Sequence, residues 1–257
     1  MKNGLVEMWR RKEVAYGVWC YLNNDLAMEM SAAQGCDYVL VDLQHGVADI
    51  AQAIGMVRAS QFHGANPLVR VPHCDIEMIG KVLDGGAAGV VVPMVEHADV
   101  AAQLIQACRY PPHGVRSYGP VRASILRGTM DPDVLGDVAA VAMIETVKGL
   151  EAVDAIANTP GLSAIYIGSV DLSISLGIGP KMPSDDKRFV DAVATIKKAC
   201  DAAGIAVGLH CPNGEVAGAY ARAGYRMVTV ATDIELLKSG AKRELDAARS
   251  AFAKGDK

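Results

Sequence analysis

Six positions able to bind or move charge sit directly behind short aliphatic runs. Val41-Asp42-Leu43-Gln44-His45-Gly46 closes one run, Val69-Arg70-Val71 another, Ile144-Glu145-Thr146 a third and Gly168-Ser169-Val170-Asp171 a fourth, while His210 and Asp233 follow two more. Glu145 and Asp171, with no thiolate pair and no third imidazole beside them, suit a hard divalent cation that keeps several waters. Arg70 can offer a planar two-point fork to a carboxylate. His45 carries an imidazole, a side chain whose ordinary titration lies near neutrality and which therefore serves as a general base. Together these groups would hold a 2-oxo acid. The cation would chelate its carboxylate and keto oxygens and, as a Lewis acid, stabilise the enolate formed by proton loss or C–C cleavage.

Each group has a plainer use. Asp233 reads as a helix N-cap, Arg70 as an ion-pair partner of Asp42 or Glu145, Glu145 as a salt bridge at a sheet edge, and His45 as a histidine bonded to a backbone carbonyl. Convergence weakens those readings. Several ionisable groups on one rim desolvate one another at a cost unless a ligand or metal pairs them. A lysine Schiff base is the competing route to an aldol reaction, but none of the twelve lysines falls inside a predicted strand, and Lys148, three residues past Glu145, reads as the start of a helix.

The elements that must place these residues alternate. Short strand-like runs begin at Val14, Tyr38, Pro67, Gly89, Val138, Ala164, Ile205 and Tyr225, eight in all. Between them, apolar residues return every three or four positions over Asp49 to Ser60, Ile76 to Leu83, Ala98 to Cys108, Lys187 to Ala203 and Ile234 to Ala253. Asp49 and Asp233 are suitable N-caps, and Gly35, Gly204 and Gly224 suitable stops. The pattern predicts an α/β chain, a single (β/α)8 TIM barrel over residues 1–257, with its chemistry at the C-terminal ends of the strands. A doubly wound sheet would place a Gly-rich phosphate turn after an early strand, and neither G-x-G-x-x-G nor a P-loop occurs. The irregular stretch from Tyr110 to Arg127, between the fourth and fifth strands, is expected to build an acceptor pocket together with a neighbouring subunit.

Composition excludes other classes. A formal charge of −4 leaves no polybasic surface for nucleic acid, and no apolar run approaches a membrane span. The start, Met1 to Glu7, lacks a signal-peptide apolar region, which reads as cytoplasmic. The six cysteines form no C-x-x-C pair, and the dipeptides His73-Cys74 and His210-Cys211 are too far apart in sequence for a zinc-ribbon spacing.

The segments Val41 to Gly46, Val69 to Pro72, Val91 to Val95, Arg109 to Ser117, Met143 to Thr146 and Tyr166 to Ser173 together resemble the HpcH/HpaI family of class II pyruvate aldolases, in order over roughly residues 14 to 235. The resemblance implies aldol cleavage of a 4-hydroxy-2-oxo acid to pyruvate, or a close 2-oxo acid, and an aldehyde. It implies Glu145 and Asp171 as ligands of Mg2+, Mn2+ or Co2+, His45 as base, and Arg70 as the carboxylate-binding and charge-stabilising arginine. The backbone from Gly168 through Ser169 and Val170 to Asp171 would contact pyruvate, with Met143 lining the site. It also pairs the histidine with an aspartate that maps onto Asp84. The alternation puts Asp84 at the other end of its own barrel, so it would reach a His45 only across a subunit interface. Members are commonly homohexamers with an exchanged C-terminal helix, which would occupy Ile234 to Ala253. Asp42 and Gln44 are secondary candidates, and Gln44 departs from the acid that many relatives carry there. A related lyase acting on a CoA thioester would need a basic patch, for which Arg109, Arg116, Arg122 and Arg127 are available; a non-catalytic barrel would need none of these groups.

Overall fold

In the computed structural model, which describes residues 4–182 and 184–255, the eight predicted runs are the eight strands of one α/β domain. They are β1 (Ala15–Cys20), β2 (Tyr38–Asp42), β3 (Asn66–Arg70), β4 (Gly89–Val92), β5 (Ala139–Ile144), β6 (Ala164–Ile167), β7 (Ala206–His210) and β8 (Met227–Thr232). Each pairs in parallel with the next and β8 returns to β1, closing the TIM barrel. Such strands are buried on both faces, which is why they read as unbroken aliphatic runs. Register carries the chemistry to one rim: Asp42 lies opposite Arg70 across β2 and β3, and Ile144 opposite Ile167 across β5 and β6, one residue short of Glu145 and Gly168.

Two apolar layers result. Leu40, Leu68, Val91, Val141, Met143 and Met227 belong to the layer inside the barrel, while Val39, Val69, Val90, Ala140 and Ile165 pack outward against the helices. Alternate residues of a strand serve alternate layers because successive side chains point to opposite faces. Deep in the barrel the Thr229 hydroxyl lies 2.8 Å from that of Tyr38 and 2.7 Å from that of Tyr166, so the buried hydroxyls satisfy one another. A helix the sequence pattern did not reveal, Gly4–Arg10, buries Leu5, Val6 and Trp9 in the inner layer, and the Trp9 indole N–H donates to the Arg226 carbonyl at the start of β8. It plugs the N-terminal end.

The long helices fall where the periodicity placed them, at Ile50–Gln61, Ile76–Asp84, Ala98–Cys108, Lys187–Ala203 and Asp233–Gly255. Asp49 forms a full capping box with Gln52. Asp233 does not serve as the expected N-cap. Thr232 takes that place, its hydroxyl accepting from the Glu235 N–H, while the Asp233 carboxylate accepts from the Tyr21 and Leu22 N–H groups and ties the last helix to the end of β1. The stretch Tyr110 to Arg127 ends in a helix, Ala123–Arg127, and precedes β5, so within one chain it lies at the N-terminal end of the barrel, where Arg122 bonds the Gly85 carbonyl. Among the described residues no helix is long and apolar enough to cross a membrane.

Candidate active site

The C-terminal rim encloses a cavity of about 1040 Å3. His45, Arg70, Met143 and Glu145 line it together with Gly168, Ser169, Val170 and Asp171, so the residues singled out for the metal, the base and the 2-oxo acid meet in one space.

Asp42 is not part of that wall but lies beneath it, with no exposure. Its Oδ1 accepts from Arg70 Nε at 3.0 Å, from the Gln44 N–H at 2.8 Å and from the His45 N–H at 3.2 Å. Its Oδ2 accepts from Arg70 Nη2 and from the Trp19 indole N–H. Burial works to raise the Asp42 pKa, but the hydrogen bonds and charge of Arg70, with the donors from Trp19 and Gln44, outweigh it and hold the carboxyl below its usual range. This one carboxylate therefore fixes both Arg70 and the turn that carries His45. Arg70 lies 4.8 Å over the Trp19 ring, and its Nη1 reaches 3.9 Å from the Met143 sulfur. The side edge of its guanidinium is taken by Asp42, which leaves the end edge for a second carboxylate.

Glu145 follows β5 and is 3 % exposed. Its Oε1 accepts from the Met94 N–H at 2.7 Å, and Met94 is held at a φ of 54° just past β4, a left-handed conformation that turns this N–H toward the carboxylate. Burial pushes the Glu145 carboxyl up to about 7; the Met94 bond opposes the shift and the charge of Asp171 adds to it. Gly168 makes room for this arrangement, since a Cβ there would stand 2.7 Å from the Glu145 Cβ. Asp171 sits in the first turn of the helix Ser169–Ser175, where freed backbone N–H groups suit an anionic ligand. Two buried atoms here remain unspent: among the described residues the Ser169 hydroxyl and the Gln44 Oε1 find no hydrogen-bond partner.

Among the described residues no group of three or more His, Cys, Asp or Glu side chains is arranged to hold a metal by itself. Two carboxylates, one of them strongly destabilised as an anion by burial and by the other, still form an oxygen donor pair suited to a hard cation completed by water and substrate.

Asp84 is not brought to this site. It ends the helix Ile76–Asp84 at the opposite end of the barrel and pairs there with Arg116 at 2.6 Å. Arg109, Arg122 and Arg127 lie at that end too, bonded to the carbonyls of Gly136, Gly85 and Asp137, so the basic patch a CoA thioester would need does not face the cavity. Lys148 is 71 % exposed and lies 3.7 Å from Glu96; among the described residues no lysine lines the cavity.

Sequence reasoning passed over Trp19, Tyr21 and Met94, and set His210 on the rim without giving it a role; Trp19, Tyr21 and His210 all line the cavity. For His210 the signal was present, a polar residue ending a strand of the same set. Met94 offered none, because methionine is not a residue that favours a positive φ.

The family model for HpcH/HpaI aldolase/citrate lyase matches residues 15–239. A hydroxypyruvate/pyruvate aldolase of Rhizorhabdus wittichii is 34 % identical over 243 residues, covering 94 % of this chain and 97 % of its own. A 4-hydroxy-2-oxovalerate aldolase of Rhodococcus jostii is 34 % identical over 228 residues, 86 % of each chain. The crystal structure of an HpcH/HpaI aldolase/citrate lyase family protein from Burkholderia cenocepacia superposes with a TM-score of 0.89 at 29 % identity, covering 96 % of this chain and 99 % of that one.

Proposed function

The chain belongs to the HpcH/HpaI aldolase/citrate lyase family, that of the class II pyruvate aldolases, and from that premise we propose that it reversibly cleaves a 4-hydroxy-2-oxo acid to pyruvate, or a close 2-oxo acid, and an aldehyde. The observation that carries this reading is the shared cavity. His45, Arg70, Glu145 and Asp171, drawn from four strand ends, face one space large enough for both products.

Glu145 and Asp171 are the residues to hold the divalent cation, Mg2+, Mn2+ or Co2+. When bound, that cation supplies Lewis acidity at the 2-oxo oxygen of the substrate. The end edge of Arg70 and the first-turn N–H groups from Ser169 to Asp171 dock the acid, with Gly168 and Met143 shaping the floor. His45 takes the proton of the 4-hydroxyl as the C3–C4 bond breaks and the electron pair passes to C3. In the synthetic direction it returns that proton, and it moves the proton at the pyruvate methyl carbon. Asp84 would orient a His45 only by joining two copies of the chain. A homohexamer with the helix Asp233–Gly255 exchanged is proposed on the same basis: that helix leaves the barrel with Leu236, Leu237, Leu245 and Phe252 exposed, and the stoichiometry rests on the resemblance alone.

The test needs no knowledge of the natural aldehyde. With Mg2+ and pyruvate in D2O the enzyme is expected to exchange the methyl protons, followed by NMR, and chelation to abolish the exchange. His45→Ala should slow it by roughly 10²- to 10⁴-fold. Glu145→Gln should instead be partly rescued by added cation. A borohydride-trapped lysine adduct with pyruvate, or exchange at the wild-type rate in His45→Ala, would overturn the reading.

A further inference from the structure

We infer that Tyr21 is a catalytic residue, its phenol donating a hydrogen bond to the C4 oxygen of the substrate while His45 moves that oxygen's proton. The inference rests on the aldolase reading and adds a donor on the aldehyde side of the breaking bond. It needs no residue of a second copy. An Asp84 brought to His45 by assembly would act on the imidazole, whereas Tyr21 acts on the substrate.

Tyr21 directly follows β1. Trp19 belongs to the inner apolar layer and Cys20 to the outer one, so the Tyr21 ring returns to the inner face, where it packs on that layer and lines the cavity. Its backbone is braced on both sides. The Tyr21 N–H donates to the Asp233 carboxylate at 3.0 Å, and the Tyr21 carbonyl accepts at 3.0 Å from the N–H of Val47, two residues past His45. Gly46 permits that approach, since a Cβ there would stand 3.0 Å from the Tyr21 carbonyl oxygen. The end of β1 and the turn that carries His45 are thus tied together, and both side chains face the same space from neighbouring strands. The acid end of the substrate is held elsewhere, by Arg70 after β3, Glu145 after β5 and the helix turn from Ser169 to Asp171 after β6. In a closed barrel of eight, β1 stands opposite β5, so the carbons beyond C2 extend toward Tyr21 and His45. Among the described residues no hydrogen bond engages the Tyr21 hydroxyl, so the fold leaves this donor unspent. Burial raises its pKa; the charge of Arg70 opposes the shift, and those of Asp42, Asp233 and Asp171 add to it. At neutral pH the phenol therefore keeps its proton and serves as a donor, not a base. In cleavage, negative charge develops on the C4 oxygen as His45 takes its proton and the C3–C4 bond breaks. In synthesis the same hydrogen bond polarises the aldehyde carbonyl before C3 attacks, and Tyr21 keeps its proton in both directions.

Tyr21→Phe deletes the hydroxyl and keeps the ring. Pyruvate methyl exchange in D2O involves no C4 oxygen, so with Mg2+ it should stay within about twofold of wild type. Aldol addition of pyruvate to propanal, glycolaldehyde and succinic semialdehyde should lose about 10- to 100-fold in kcat/KM with each, the worth of a hydrogen bond to a charged oxygen. The loss is shared because every aldehyde brings the same oxygen. The urea unfolding midpoint should not move, since the hydroxyl has no partner in the fold. Unchanged addition would overturn the inference. So would a loss confined to one aldehyde, which would make the hydroxyl a reader of the aldehyde's tail. A parallel fall of exchange and addition would place Tyr21 at the acid end, and a lowered midpoint would make its hydroxyl structural; either outcome overturns the assignment. Exchange by the wild-type enzyme separates the two levels: with exchange present, these outcomes sink only the role of Tyr21, whereas absent exchange sinks the aldolase reading beneath it.

Discussion

Each end of the barrel holds an arginine against an aspartate, and the two pairs are built differently. At the C-terminal rim Asp42 is fully buried and receives five donors, two of them from Arg70. At the N-terminal end Arg116 is the buried partner, 1 % exposed, and gives one hydrogen bond to an Asp84 whose side chain is 25 % exposed. Among the described residues its Nε and Nη1 have no partner, and neither has the hydroxyl of Tyr110, whose ring it covers at 4.6 Å. The carboxyl pKa values diverge accordingly. Asp42 is held low, since the bonds and charge of Arg70 outweigh burial; Asp84 is raised, since burial outweighs Arg116. The number of donors a buried carboxylate collects, more than the presence of an arginine, decides which way it moves. A saturated carboxylate is a fixture, and the rim uses it to aim Arg70 and His45. An open one still has an oxygen to give, which is what a cross-subunit role for Asp84 requires.

Asparagine at both positions breaks the comparison most sharply. Both Asp42 oxygens receive donors, so any orientation of an amide sets its NH2 against at least two of them, and Asp42→Asn should lose about 3–5 kcal/mol of unfolding free energy, the scale of breaking a buried pair. Asp84→Asn keeps an acceptor for Arg116 and should lose about 1 kcal/mol. Urea unfolding of both variants checks this, and equal losses would mean the two carboxylates are equivalent. Their pH dependence should differ in sign. A carboxyl depressed in the folded state adds stability above its unfolded pKa and loses it as pH falls through the folded value. The advantage of wild type over Asp42→Asn should therefore shrink on acidification below about pH 4. A raised carboxyl binds its proton more tightly when folded, so the advantage over Asp84→Asn should shrink as pH rises above about 4.

The same contrast explains what could be read from the chain beforehand. The eight strands were legible because burial on both faces demands aliphatic runs, and the rim residues because strand ends in such a barrel carry its chemistry. The helix Gly4–Arg10 was not, since two turns with three buried residues make no periodic signal. Of the assembly around Asp42, the pairing with Arg70 was one of two readings open in the sequence, but the Trp19 donor was not, since it lies 23 residues away and meets Asp42 only through barrel register. Asp233 shows the limit from the other side. Its position before a helix suggested a cap, but two N–H groups from the end of β1, over 200 residues earlier, had the stronger claim.

Lysine at position 70 removes the geometry while keeping the charge. Arg70 spends Nε and Nη2 on Asp42 and leaves its end edge toward the cavity; one ammonium cannot serve both. Arg70→Lys should lower kcat/KM for retro-aldol cleavage by about 2 kcal/mol, with both pyruvate affinity and turnover reduced. Near wild-type kinetics would make Arg70 an ion-pair partner of Asp42 and nothing more.

The smallest change asks what holds the guanidinium in place, its carboxylate or the ring beneath it. Trp19 does two things: its indole N–H gives Asp42 one of five donors at 3.0 Å, and its face lies 4.8 Å from Arg70 Cζ. Phenylalanine at this position deletes the donor and keeps an aromatic face, while Asp42 retains four donors. If the carboxylate is the fixture, Trp19→Phe should cost about 1 kcal/mol in kcat/KM, the worth of one ordinary hydrogen bond, and the Asp42 carboxyl should stay below its usual range. Trp19→Leu, which removes the ring as well, should then cost only the cation–π contribution more, about 0.5–1 kcal/mol. Steady-state kinetics on the two variants settles the order. A collapse of activity in Trp19→Leu alongside a mild Trp19→Phe would move the fixture from the carboxylate to the ring, and the rim would then owe its aim to packing and not to its ion pair.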